Sequence, residues 1–146
     1  MRGLVNTSTT VRDTLKSLNL ETRFRATIVP ETPSYKGMLK KAKDRIAWCE
    51  ASSSIIKQLL EKRGRMKGRK LIQKEDLKKL GFESIDQLAN DISESKIILQ
   101  KIEGIKPSFA LSPPKGGFKR SVRRNYKQGG ILGANPDLPK IVETML

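Results

Sequence analysis

The sequence predicts an α+β fold, with a strand–helix–strand–helix–strand unit over residues 1–51 and a helical, loop-rich extension over residues 52–146. Three observations predict it. Apolar residues alternate from Phe24 to Val29 in the manner of a half-buried strand. Several later segments carry apolar residues at helical spacing behind Ser or Thr caps. Prolines and glycines separate these segments at short intervals.

The first element, Gly3-Leu4-Val5-Asn6-Thr7, reads as a short strand. Thr10 with Asp13 has capping-box spacing, Val11, Leu15 and Leu18 line one helical face, and Asn19 closes the helix. In the next strand Phe24, Ala26 and Ile28 share a face, and Pro30 ends it. Thr32 is the expected N-cap of a second helix, with Pro33 at its first position, where a missing amide hydrogen costs nothing. Tyr35, Met38, Leu39 and Ala42 form its buried stripe, while Lys36, Lys40 and Lys43 line another face. A third strand covers Ile46–Glu50. Beyond it, Ser53 or Ser54 opens a helix carrying Ile55, Ile56, Leu59 and Leu60, which Gly64 terminates. Two short helices follow, Lys74–Leu80 before Gly81 and Ser84–Ser93 behind the pair Ser84 and Gln87. A short strand is expected at Ser108–Leu111, an irregular glycine-rich segment at 115–134, and a last helix at Leu138–Met145.

Composition narrows the function. The chain has 146 residues, 30 Lys and Arg against 15 Asp and Glu, and a formal charge of +15. Such a charge makes nucleic acid the leading partner class. No apolar run approaches the roughly 18 residues of a membrane span, and Met1–Val5 opens no signal-peptide pattern, so an intracellular protein without a membrane partner is expected. The single Cys49 allows no internal disulfide and argues against a cysteine-based zinc site. Histidine is absent, which removes the commonest general base and the commonest metal ligand. No cofactor, metal, small-molecule substrate or catalytic residue is expected. Trp48 and Cys49 read as packing residues on a strand.

The charge is concentrated in two acid-free runs, residues 62–70 and 115–127, each holding six cations. Mixed signs are usual on a solvated loop; six cations without an acid would repel one another unless a polyanion met them. The candidate contacts are Lys62, Arg63, Arg65, Lys67, Arg69 and Lys70 in the first run, and Lys115, Lys119, Arg120, Arg123, Arg124 and Lys127 in the second. The first pattern also suits a nuclear-localisation signal. Phe118 and Tyr126 lie among the cations of the second run, placed either to stack on unpaired bases or to anchor the segment to the core. A protein that compacts DNA or RNA by charge alone is the competing interpretation.

Ordered sequence blocks add a resemblance. Val29-Pro30-Glu31-Thr32-Pro33-Ser34-Tyr35-Lys36-Gly37-Met38-Leu39, then Lys43-Asp44 and Trp48, are similar to the universal large-subunit ribosomal protein thirty family in its long archaeal form. Leu59–Arg65, Gly81–Ile85, Leu111–Phe118, and Gly129-Gly130 with Gly133 follow in the family's order. The eukaryotic counterpart, large-subunit protein seven, shares the layout behind a basic N-terminal extension. The resemblance implies a ferredoxin-like βαβαβ core, with a three-stranded antiparallel sheet and two helices on one face, and an extension packed on it. It further implies a non-catalytic constituent of the large ribosomal subunit in the cytoplasm. Its partners would be large-subunit ribosomal RNA, 5S RNA and neighbouring ribosomal proteins. The turn holding Ser34, Tyr35 and Lys36, with Lys40 on the same helix, joins the two basic runs as an implied RNA contact. Ser121–Asn125 is more basic than the family pattern leads one to expect.

Overall fold

The computed structural model describes residues 7–68, 70–82 and 84–146. In chain order its elements are α1 (Thr9–Ser17), β1 (Arg25–Thr27), α2 (Pro33–Lys41), β2 (Ala47–Trp48), α3 (Ser53–Arg63), α4 (Lys74–Lys79), α5 (Ile85–Ser93), β3 (Ser108–Ala110), β4 (Ser121–Asn125), β5 (Gly130–Ala134) and α6 (Leu138–Met145). Short 3-10 turns lie at Leu99–Lys101 and Tyr126–Gln128. The fold is mixed α and β, as the periodicity predicts.

Local chemistry places the helices. Thr32 caps α2 by accepting from the Tyr35 amide at 3.4 Å, with Pro33 in the first turn. Ser84 caps α5 by accepting from the Gln87 amide at 3.2 Å. The cap of α1 is Ser8 rather than Thr10, and its side chain makes no capping bond. Instead, Thr14 Oγ1 donates back to the Thr10 carbonyl at 2.8 Å within the helix. Asn19 follows that helix with φ of 57°, a left-handed conformation asparagine tolerates.

The strands differ from expectation in three respects. First, Phe24 has φ of 55°, so β1 begins only at Arg25; its carbonyl instead accepts from the Leu111 amide at 2.8 Å. Second, the expected antiparallel sheet of the first fifty residues is not the pairing among the described residues. β1 pairs antiparallel with β3, matching Ala26 to Phe109, while β2 lies parallel to β5, matching Trp48 to Ala134. The expected strand at residues 3–7 lies outside the described residues except for Thr7, which is not in a strand. Third, residues 115–134 are not irregular, because they contain β4 and β5, which complete a three-stranded sheet of order β2-β5-β4. Glycine there reflects close approach rather than looseness: a Cβ on Gly130 would collide with the Arg124 backbone. All of β5 but Ala134 is buried, so no alternating pattern marks it.

Two apolar clusters result. The larger gathers Ile56, Leu59 and Leu60 of α3, Leu77, Leu88, Ala89, Ile92, Leu99, Ile105 and Phe109, with Ala26 and Ile28 packed against it. The smaller holds Leu15 and Leu18 of α1 with Ala42 and Ile46, bordered by Tyr35, Met38 and Trp48. Trp48 and Cys49 are half-buried, consistent with packing roles. Asn135 is fully buried between them and the C-terminal helix. Its amide nitrogen donates to the Ile131 carbonyl at 3.1 Å, and its side-chain oxygen accepts from the Asp137 amide at 2.9 Å.

Candidate nucleic-acid interface

The first basic run, expected as a loop, begins in the last turn of α3 and continues as a short antiparallel ribbon. Arg65 faces Leu71 across it, the Met66 amide donates to Lys70 at 2.8 Å, and the Ile72 amide donates to Gly64 at 3.3 Å. Gly64 has no room for a Cβ, which would collide with the Leu60 carbonyl, so glycine lets the chain leave the helix directly into the ribbon. Gly68 turns the tip with φ of 107°. The ribbon's outer strand is anchored on residues 104–106: Lys67 donates its amide to the Gly104 carbonyl at 2.7 Å, and the Lys106 amide donates to Arg65 at 2.9 Å.

Lys62, Arg65, Lys67 and Lys70 are exposed on this ribbon and its stem, whereas Arg63 is turned inward. One of its terminal nitrogens donates to Ser112 Oγ at 2.6 Å and to the Leu146 carbonyl at 2.7 Å, with Met145 at 3.4 Å. Arg69 lies outside the described residues. Leu71 is exposed beside the cations, and half-buried Lys106 adds a further positive side chain at the ribbon's anchor.

The second run lies on β4 and its flanks. Lys115, Lys119, Arg123, Arg124 and Lys127 are exposed. Arg120 sits 4.9 Å from the centre of the Tyr126 ring, a cation–π contact, and 3.7 Å from Asp137. The Tyr126 hydroxyl donates to the same Asp137 carboxylate at 2.7 Å. Tyr126 therefore anchors the segment, and half-buried Phe118 accompanies it.

The α2 turn behaves differently again. Ser34 is exposed at the helix start. Tyr35 borders the smaller core and donates its hydroxyl to Gln100 Oε1 at 2.8 Å. Lys36 pairs with Glu31 at 2.6 Å, and this ammonium holds the Glu31 carboxyl below its ordinary range. Lys40 is exposed, as are its neighbours Lys41 and Lys43. Lys41 falls outside the apolar-stripe pattern that drew attention to Lys36, Lys40 and Lys43, and only its position beside β4 singles it out. The fold thus brings the α2 terminus to β4, and sets the ribbon apart on α3 and residues 104–106.

Residues 1–46 match the family model for ribosomal protein L30p/L7e. The large ribosomal subunit protein uL30 of Nitrosopumilus maritimus is 43% identical over 133 residues, spanning 91% of this chain and 86% of its own length. The chain belongs to this family. The uL30 proteins of Staphylothermus marinus and Methanosphaera stadtmanae are similar over its whole length, at 42% identity over 153 residues and 38% over 148. These alignments span 94% and 96% of the two relatives. The matched relatives therefore include the extension that carries both basic segments.

Proposed function

We propose that this chain is a structural constituent of the large ribosomal subunit, cytoplasmic and non-catalytic, that binds and stabilises ribosomal RNA by neutralising phosphates. What carries the reading is the outward display of two acid-free cationic segments on a chain whose uL30 relatives are named for that subunit. Lys62, Arg65, Lys67 and Lys70 on the ribbon, with Arg69 beside them in sequence, and Lys115, Lys119, Arg123, Arg124 and Lys127 around β4 are the proposed contacts. Ser34 and Lys40 join them from α2. Arg63, Tyr35, Lys36 and Arg120 have partners within the protein and serve it first as structural residues. Lysine and arginine on a backbone ribbon position a protein on phosphate without reading sequence, so shape recognition of folded RNA should dominate.

The reading extends to organisation and partners. Residues 1–51 would act as a ferredoxin-like core and residues 52–146 as the extension packed on it, a division echoed by the two apolar clusters. 5S RNA and neighbouring ribosomal proteins are the further partners proposed. The test is sedimentation of cell extract at low salt and at about 1 M, where screening reaches within roughly 3 Å. Co-migration with the large subunit in both supports the reading; a free protein at low salt refutes it. Tighter binding to duplex DNA than to structured RNA would favour an architectural role outside the ribosome.

A further inference from the structure

Asn125 of β4 donates its side-chain amide to Asp44 Oδ1 at 3.3 Å, joining segments 81 residues apart in sequence. The neighbours of these two residues are cations: Lys43 precedes Asp44, and Arg123 and Arg124 precede Asn125. The same junction is reinforced where the Gly133 amide donates to the Ile46 carbonyl at 2.8 Å. Lys40, Lys41 and Lys43 at the end of α2 are thereby gathered beside the exposed arginines of β4. Lys40 and Lys41 complement the negative end of the α2 dipole, which accounts for them within the helix. Lys43, Arg123 and Arg124 lie outside that turn. Asp44 is the acid at the junction, and its carboxylate already accepts from Asn125.

A second relationship keeps this surface apart from the ribbon. Asp137, at the start of α6, holds Tyr126 and Arg120 of the second basic segment. At the other end of α6, the carbonyls of Met145 and Leu146 are held by Arg63, at the stem of the ribbon. The helix is a strut whose anchor points lie about 13 Å apart at 1.5 Å per residue. That exceeds the Debye length of about 8 Å at physiological salt, so charge at one end is largely screened from the other.

We propose that Lys40, Lys41 and Lys43 of α2 with Arg123 and Arg124 of β4 form a phosphate-binding surface that is separate from the ribbon, so that one molecule holds two RNA segments at a spacing set by α6. The inference rests on the RNA-binding reading above and adds to it a second site and a stoichiometry. The guanidinium groups would take phosphate oxygens in bidentate fashion, with the lysines as point charges around them.

The test uses the full chain and a short RNA hairpin too small to span both surfaces, with bound copies counted by native mass spectrometry at low salt. Two RNAs per protein are expected. The variant Lys41→Glu/Lys43→Glu/Arg124→Glu should weaken one of the two binding events by at least about tenfold and leave the other. Lys67→Glu/Lys70→Glu should remove the complementary event. The milder glutamine versions, checked by thermal melting, guard against loss of fold. One RNA per wild-type protein would overturn the two-surface proposal while keeping RNA binding, as would a second RNA that survives the α2/β4 variants. No RNA bound at all would overturn the parent reading as well.

Discussion

Arg63 Nη2 stands 2.6 Å from Ser112 Oγ, and through the Leu146 carbonyl it also ties the end of α3 to the end of α6. An arginine inside a run of cations is thus a structural clamp, while its neighbours Lys62 and Arg65 face outward. Its Nε is buried without a partner, so the side chain is held for its terminal nitrogens.

Arg63→Ala should therefore act on stability. Loss of charged hydrogen bonds to Ser112 and the C-terminal helix should cost about 1.5–3 kcal/mol and lower the Tm by roughly 3–12 °C. Arg63→Lys should not restore it, because an ammonium lacks the planar fork that reaches several acceptors at once. A melting curve for each variant decides the matter; unchanged Tm in Arg63→Ala would show the clamp to be idle.

Lys67 and Lys70 should behave in the opposite way. Alanine at either position should change stability by less than about 0.5 kcal/mol, since both are exposed. Each should weaken binding to a structured RNA and reduce the slope of log K against log salt by about 1. Titrations across a salt series would reveal this, and parallel lines for variant and wild type would remove these lysines from the interface.

Gly130→Ala should disrupt the β4–β5 pairing. The added methyl would have to enter the Arg124 backbone, and backbone cannot move aside as a flexible side chain can. A cost of about 1–3 kcal/mol or more is expected. Gly117→Ala meets no atom, yet its φ of 74° should still strain it, by the smaller penalty of a left-handed alanine. Comparing the two denaturation midpoints separates steric collision from backbone conformation.

Cys49 supplies a pH prediction. Burial first, and the Glu50 carboxylate second, push its thiol above the ordinary 9.0. Below that pH the thiol is protonated in both folded and unfolded chains and contributes no pH dependence. Above it the unfolded chain loses the proton first, so stability falls with rising pH until the folded thiol also ionises. Alkylation of Cys49 in the native protein should accordingly lag behind the unfolded chain at pH 8–9. Equal rates would show that the strand end does not shelter it.

The glycine-rich stretch at 115–134 and Arg63 mark where sequence reading stops. Gly129, Gly130 and Gly133 resemble a flexible loop by composition, yet two are buried and Gly130 is required by contact with a strand five to nine residues earlier. Nothing in the run Lys62–Lys70 distinguishes Arg63 from Arg65, because the Ser112 and Leu146 partners are 49 and 83 residues distant. The same holds for Tyr126, whose choice between base stacking and anchoring was settled by Asp137.

By itself the sequence determined the helices, their caps, the apolar stripes, the family and the two concentrations of charge. These follow from properties within one or two helical turns, or from ordered blocks along the chain: Thr32 and Pro33 start α2, Ser84 starts α5, and Leu59 and Leu60 belong to a buried face. Tertiary structure alone decided which strands pair, which cations turn inward, and that α2 and β4 share a surface. Each of those depends on residues far apart in sequence, where local propensity is silent and only packing selects the partner.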